Sequence, residues 1–285
     1  VAGAGTGGTI TGVGRFLKEQ NPDVQIIAAD PTNSVYSGGS GRPYLVEGVG
    51  EDFWPDTYDP SIVDSTIAVT DAESFAMAHR VTVEEGILIG GSGGTAVAAA
   101  LQTAQNLTAE DLVVVLIPDS GRGYLSKVFD KSWMANMGFS KQEGSTVADL
   151  LDQRARGESE LTYVSPESTL EEAISIMQER GLPGIPVANG EMPLAIAEVM
   201  GSVYQHSLLE ESSKTNQPSP GKVEEVMSPN MPTVGVGEPL KVAAAKLENS
   251  QVLLVLDDGQ PRSLLTRSDL AGAHAGDGEQ EETSK

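Results

Sequence analysis

The chain has 285 residues, 41 of them acidic and 18 basic, for a formal net charge of −23. That length predicts two domains or one large one, and 39% hydrophobic with 21% charged residues predicts a folded chain with a sizeable core. The charge argues against nucleic acid and anionic membranes as partners, since both need cationic groups on the protein. The lack of cysteine excludes disulfides, thiolate metal sites and a cysteine nucleophile within these residues.

In chain order, Val1–Thr9 reads as a strand end running into a glycine loop, which predicts a segment preceding Val1. The spacing of Ile10, Val13, Phe16 and Leu17 predicts a helix over Thr9–Gln20, stopped by Asn21-Pro22. Val24–Asp30 and Ile62–Val69 read as strands. Asp71–Glu85 reads as a helix with Asp71 as N-cap and Gly86 as its stop, and Gly94–Asn106 as an Ala-rich helix. Leu112–Pro118 reads as a strand buried on both faces. It is far too short to cross a bilayer, no signal peptide opens the chain, and a cytoplasmic protein is the expectation. Alternating strands and helices over residues 1–139 predict an α/β domain with a mostly parallel sheet.

Residues 140–160 turn polar and read as a linker with a short helix at Thr146–Arg154. Residues 161–273 carry a weak internal repeat, about 161–212 and 222–273. Leu161–Val164, the helix Thr169–Arg180 and the turn and strand Gly181–Val187 answer to Met231–Val234, the helix Pro239–Glu248 and the strands Gln251–Leu256 and Pro261–Thr266. Each copy is too small to cover its own sheet, so the two should pack together. Residues 274–285 read as a disordered acidic tail.

Two glycine clusters carry the chemistry. Gly3, Gly5 and Gly8 satisfy G-x-G-x-x-G between a strand end and a helix, and Asp30 closes the next strand, as in a dinucleotide fingerprint. The underlying physics is wider: backbone N–H groups at a helix start bind an anion, usually phosphate. Thr6 and Thr9 add hydroxyl donors. The second cluster, Gly90–Thr95, stands before the Ala-rich helix with one hydroxyl, Ser92, in its middle. Read blandly, it is a tight turn with a helix cap. The two clusters bracket Val46–Pro55, which favours a shared ligand.

These residues carry a resemblance. Gly5–Gly12 looks like the phosphate loop of the β-family (fold type II) pyridoxal-phosphate enzymes. Val46–Pro55, Gly90–Thr95, Pro118–Lys127, Trp133-Met134 and Gly138-Phe139 resemble the cystathionine β-synthase family in order and spacing, and residues 161–273 resemble its tandem CBS-domain regulatory module. The resemblance implies the C-terminal part of a fold type II catalytic domain followed by that module. It implies pyridoxal 5′-phosphate held by Gly5, Thr6, Gly7, Gly8 and Thr9, with Ser92 at the pyridine nitrogen, Gly48 and Gly50 beside the substrate, and Asp119 and Ser120 near the ring edge. The reaction implied is β-replacement: serine loses its hydroxyl, and homocysteine thiolate adds to give cystathionine.

Two departures accompany it. The Schiff-base lysine is expected upstream of the first glycine loop; the lysines here are Lys18, Lys127, Lys131, Lys141, Lys214, Lys222, Lys241, Lys246 and Lys285, and none precedes that loop. The chain alone is therefore expected to be inactive, with no catalytic residue of its own. Glu51 stands where vertebrate-type members have tyrosine, which leaves cysteine synthase-like β-replacement open.

In the repeats, Thr266-Arg267-Ser268-Asp269 fits the S/T-x-x-D pattern with which CBS domains hold a ribose. Leu182, Gly184 and Ile185 would line the adenine side and Leu264 the other, with S-adenosylmethionine as the implied effector. The corresponding stretch of the first copy is read as Glu198–Gly201, which has neither the hydroxyl at its first position nor the carboxylate at its fourth. The plain alternative is a helix cap at Thr266 and Asp269. The scattered His79, His206 and His274 predict no metal site, and Trp54 and Trp133 read as packing anchors. Small amino acids as substrates and a homo-oligomer, dimer or tetramer, complete the reading. Its rivals are a non-catalytic adenosyl-ligand sensor and an NAD-type Rossmann protein.

Overall fold

The structure, a computed structural model, describes residues 1–140, 145–152, 154, 160–208 and 221–271. The chain divides into two compact units, Val1–Trp133 and Met134–Lys285. The expected tail, 274–285, lies outside the described residues, as does part of the expected linker. Among the described residues no helix is long and apolar enough to cross a membrane.

The first unit holds a parallel sheet ordered β1 (Ala2–Gly3), β2 (Ile27–Pro31), β3 (Ser65–Val69). Ala2 pairs with Ala28, and Ile27 with Ser65. Every residue of β2 is buried, the behaviour of a strand covered on both faces. Helices α1 (Gly8–Gln20), α2 (Asp71–Glu85) and α3 (Gly91–Ala104) follow the strands as the periodicity predicts. The cap of α2 is Thr70, one residue before the expected Asp71; its hydroxyl accepts from Glu73 N–H, and the Glu73 carboxylate accepts from Thr70 N–H. Asp71 instead receives the N–H groups of Leu45 and Val46, both at 2.8 Å. Gly86 ends α2 in the left-handed region at φ 70°.

Helix α3 begins at Gly91, three residues before the expected Gly94, so most of the second glycine cluster is its first turn. The small residues let α3 approach α2 closely: a Cβ on Gly94 would stand 2.0 Å from the Ser74 carbonyl oxygen. The hydroxyls of Ser74 and Thr95 meet at 2.8 Å in the same contact.

Leu112–Pro118 departs from expectation: it forms no strand, and Leu112 and Val114 are 89% and 68% exposed. Its ladder is one residue deep, with the Val1 ammonium donating to the Val114 carbonyl at 2.8 Å and Leu116 N–H to the Val1 carbonyl at 3.0 Å.

The second unit contains the repeat. In the first copy, α6 (Leu170–Arg180), capped by Thr169 and Glu172, precedes an antiparallel pair, β4 (Gly184–Ala188) and β5 (Val199–Tyr204). In the second, β6 (Thr233–Gly235) runs parallel to β7 (Val252–Asp257), which pairs antiparallel with β8 (Gln260–Thr266), and α7 (Leu240–Glu248) joins β6 to β7. The Val164–Val187 bridge is parallel, as is the Val234–Val255 pair of the second copy. One hydrophobic cluster contains Val164, Met177, Ile185 and Val203 together with Met231, Val252, Leu254 and Leu264, so the copies share a core. Two short helices precede the repeat, α4 (Lys131–Asn136) at the division between the units and α5 (Val147–Asp152) within the expected linker. The latter packs Val147, Leu150 and Leu151 with Val234, Val236 and Leu253.

Candidate cofactor and ligand sites

The first glycine loop joins β1 to α1. Gly7 sits at the N-cap with φ 86°, and a Cβ there would lie 2.5 Å from Tyr58 Cβ, so both backbone sign and space require glycine. No side chain caps α1 and its first turn has no acidic residue; its leading N–H groups have no helical partner. Thr6, Gly8 and Thr9 are exposed. Aromatic side chains hold the loop from below. Tyr36 donates to the Gly5 carbonyl at 2.7 Å and stacks on Tyr58 at 4.2 Å, and Trp54 packs edge-on against Tyr36 at 5.2 Å. Thr57 donates its hydroxyl to the Thr6 carbonyl.

The stretch 46–50 ties this loop to the second cluster. Gly50 N–H donates to the Ala4 carbonyl at 2.7 Å. A Cβ on Gly5 would meet the Gly48 carbonyl at 3.4 Å, one on Gly3 would meet Val49 Cγ2 at 3.0 Å, and one on Gly91 would meet Val46 Cγ2 at 3.1 Å. Gly48 and Gly50 both have positive φ, 78° and 79°. Ser92 lies in the first turn of α3, 2% exposed. Beside it, Asp119 presses on Gly90, where a Cβ would stand 2.2 Å from Oδ1. That Oδ1 is buried without a hydrogen-bond partner among the described residues, while Oδ2 accepts from Tyr124 at 2.7 Å. The bond to the carboxylate, with burial, pushes the Tyr124 phenol up to about 12.

Asp30, the acidic residue of the dinucleotide reading, is fully buried. Its Oδ2 receives Ser37 N–H at 2.8 Å, and burial raises its carboxyl above the usual range. It organises a turn, and its burial keeps it from the solvent-facing position a ribose partner would occupy. No metal-holding group of histidine, aspartate or glutamate occurs among the described residues.

In the second unit, Leu182, Leu264, Thr266 and Asp269 come together around a cavity of about 300 Å³, contiguous through Gly181, Leu182, Thr266 and Ser268 with another of about 500 Å³. Gly184 and Ile185 lie instead inside β4, buried and outside either lining. Asp269 Oδ2 accepts from Thr266 N–H at 2.6 Å and from its hydroxyl at 2.7 Å. Alone this is a cap, since the same pairing recurs at Thr70–Glu73, Thr108–Asp111, Thr146–Asp149 and Thr169–Glu172. What distinguishes Thr266–Asp269 is the cavity in front of it.

Strand register corrects the repeat alignment. Thr266 pairs with Val252 as Tyr204 pairs with Gly184. The first-copy counterpart of Thr266–Asp269 is therefore Tyr204-Gln205-His206-Ser207, not Glu198–Gly201. It has no carboxylate at its fourth position either.

Residues 1–119 match the pyridoxal-phosphate dependent enzyme family, and residues 158–213 and 223–276 match the CBS domain. The chain joins a segment of the pyridoxal-phosphate dependent enzyme family to two CBS domains. Among curated proteins it is 40% identical to the cystathionine beta-synthase of Mus musculus over 199 residues, 66% of this chain and 35% of that one. The Dictyostelium discoideum cystathionine beta-synthase is 30% identical over 284 residues, 95% of this chain and 57% of that one. That of Saccharomyces cerevisiae is 32% identical over 241 residues, 76% and 48%. The chain thus spans from about a third to just over half the length of these relatives.

The family implies pyridoxal phosphate as cofactor. The first unit fits it: an uncapped helix start free of carboxylates suits a phosphate, and the orphaned Asp119 Oδ1 beside the buried Ser92 leaves polar capacity for a ring edge. The sequence reading missed three contributors. The Tyr36–Tyr58 stack and the Asp71 clamp on Leu45 and Val46 have no local motif, because they join residues distant in sequence. Arg154, which lines the second unit's cavity, gave one faint signal, a basic residue in a polar stretch.

Proposed function

We propose that this chain is part of a pyridoxal-phosphate-dependent β-replacement enzyme that condenses L-serine with L-homocysteine to cystathionine. The observation that carries the reading is the stretch 46–50, which binds one glycine helix start to the other within one unit. In this reading residues 1–139 belong to the catalytic domain, 140–160 to a linker and 161–273 to a regulatory CBS pair.

Pyridoxal phosphate, when bound, supplies an electron sink for the amino acid's α-carbon. The chain's residues position and tune it. The N–H groups of Gly5–Thr9 and the hydroxyls of Thr6 and Thr9 hold the phosphate. Ser92 gives the ring nitrogen a neutral hydroxyl partner, which leaves it unprotonated and favours elimination over transamination. Gly48 and Gly50 let the backbone come close to the substrate. The lysine that anchors the cofactor is assigned to residues outside this chain. Lys18 and Lys246 each bond a carboxylate, at 2.7 and 3.2 Å, Lys127 and Lys222 pair with Glu47 and Glu167, and Lys131 and Lys241 are exposed. None of these lysines, those among the described residues, has the apolar burial that suits one to this chemistry. The pair Thr266 and Asp269, with Leu182 and Leu264, is the proposed nucleoside site, S-adenosylmethionine its proposed effector. The working protein is proposed to be a cytoplasmic homo-oligomer.

The test is an assay of the full-length protein with pyridoxal phosphate, serine and homocysteine. Cystathionine should form, and Ser92→Asp should lower turnover by about 100-fold or more, because a preorganised partner of the reacting group has the wrong charge. Activity confined to O-acetylserine and sulfide would replace this reading with a cysteine synthase-like one, which Glu51 keeps in view. The 285-residue chain alone should give no lysine-dependent visible band with pyridoxal phosphate.

A further inference from the structure

The cavity beside Thr266 and Asp269 already contains a cation. Arg154 stands two residues beyond the end of α5 and lines the cavity with a side chain only 13% exposed. Its Nη1 donates to Ser263 Oγ at 3.2 Å and to the Leu264 carbonyl at 3.0 Å. Its Nη2 lies 3.0 Å from Asp269 Oδ1. The other oxygen, Oδ2, already receives both the N–H and the hydroxyl of Thr266. Both carboxylate oxygens are therefore engaged by the protein itself.

A vicinal diol binds a carboxylate by donating its two hydroxyl protons to the two oxygens. At Asp269 the less committed atom is Oδ1, the one the guanidinium faces. The two groups form an ion pair at 3.0 Å, with the guanidinium 13% and the carboxylate 28% exposed. It is imperfect: Nη2 makes no aligned hydrogen bond among the described residues, so the pair lacks the two-pronged geometry that fixes arginine on a carboxylate. Glu160 lines the same cavity and offers the guanidinium a second carboxylate once displaced.

We propose that Arg154 is a tethered occupant of the diol-binding carboxylate, so that a ribose engages Asp269 only after the guanidinium leaves Oδ1. This rests on the reading of Thr266 and Asp269 as a nucleoside site. It makes the residue that follows α5 the reporter of ligand binding. Helix α5 itself stays seated through Val147, Leu150 and Leu151; what changes is the reach of one side chain. The apparent affinity is the intrinsic one reduced by the fraction of molecules with Arg154 displaced, so a carboxylate covered about nine-tenths of the time binds about tenfold more weakly than an uncovered one.

The experiment is calorimetric titration of the 285-residue chain with adenosine, and with 2′,3′-dideoxyadenosine as the diol-free probe. The variants are Arg154→Met, Arg154→Gln and Asp269→Asn; Arg154→Gln keeps donors for Ser263 and Leu264 and serves if Arg154→Met fails to fold. Adenosine should bind either Arg154 variant about five- to tenfold tighter than the parent, with no gain for the dideoxy probe, and Asp269→Asn should lose binding. Unchanged or weaker adenosine binding by both Arg154 variants, with Asp269→Asn still inactive, would overturn the tethered occupant and leave the site standing. Parent-like binding by Asp269→Asn, or no binding in any protein, would overturn the site and the occupant with it.

Discussion

The two units treat their apolar residues differently. In the second unit β7 runs Val252–Leu256 with all five residues buried, and its neighbours on both sides are strands of the same copy. In the first, an equally apolar run, Leu112–Ile117, meets a single residue of β1 and leaves Val114 two-thirds exposed. The large exposed apolar side chains follow suit: among the described residues Phe16, Phe53, Trp54, Leu112 and Val114 belong to the first unit, and only Met192 and Met200 to the second. A repeat pair closes on itself, because each copy is the other's missing layer. Among the described residues the first unit has no such repeat, and although its β2 is buried throughout, no residue of Leu112–Ile117 is.

The largest expected effects come from glycines that bring backbones together. A Cβ on Gly235 would stand 1.8 Å from the Ala135 carbonyl oxygen in the second unit, and one on Gly94 would stand 2.0 Å from that of Ser74 in the first. Backbone cannot swing aside as a side chain can, so Gly235→Ala and Gly94→Ala should each destabilise their own unit by about 3 kcal/mol or more. Urea unfolding followed by Trp133 and Trp54 fluorescence for the first unit and by circular dichroism for the whole chain would show it. If either substitution shifted both units equally, their independence would be lost.

Burial sets the next effect. Leu254→Ala removes a side chain 1% exposed within the core that the copies share and should cost about 3 kcal/mol. Val114→Ala, in the run that looks the same in sequence, should stay within about 0.5 kcal/mol. A large loss at Val114 would mean that this run is covered in solution, and the contrast between the units would narrow to that extent.

That pair also shows what a sequence discloses. The apolar run was legible as apolar, but whether it is buried depends on its sheet neighbours, which no local pattern encodes. Helix limits followed capping chemistry closely: Thr169 and Gly181 bracket α6 as expected. The start of α3 was misplaced because glycine is a poor helix former, and Gly91–Gly94 become helical only because close packing against α2 rewards their lack of side chains. At the candidate sites, Thr6, Ser92 and Asp269 were legible because a short motif carries them. Tyr36, Tyr58 and Arg154 were not, since each acts through partners distant in sequence or on another element.

A smaller effect separates caps that hold helices from caps that do not. Thr169 and Glu172 form a reciprocal box at the start of α6, whereas Thr108 donates its N–H and its hydroxyl to the Asp111 carboxylate over a turn with no helix behind it. Thr169→Ala should cost about 1 kcal/mol and Thr108→Ala a few tenths at most, measured by the same denaturation.

The finest comparison lies within the first unit, between two carboxylates of opposite sign. Burial raises Asp30, an effect that its bonds from Ser34 and Ser37 only partly offset. Asp64 is lowered, chiefly by the Ile26 N–H at 2.6 Å and then by Lys18. The lowered group stabilises the fold above its ordinary value near pH 4, and that contribution is lost as pH falls through the depressed value. The raised group acts the other way: between its ordinary and its raised value the folded chain holds a proton that the unfolded chain has released, so stability falls as pH rises through that window and then levels off. Asp71, raised by burial, adds to the same slope. Asp30→Asn keeps an oxygen for Ser37 N–H and abolishes the titration. The first unit of this variant should therefore lose less stability than the parent between pH 4 and 7, with the Asp71 share remaining. Because the general repulsion of a chain at −23 acts on both proteins, the difference between their slopes isolates Asp30. Parallel slopes would mean that the buried carboxyl titrates alike folded and unfolded, and that the turn at Ser34–Ser37 opens to water more readily than its burial implies.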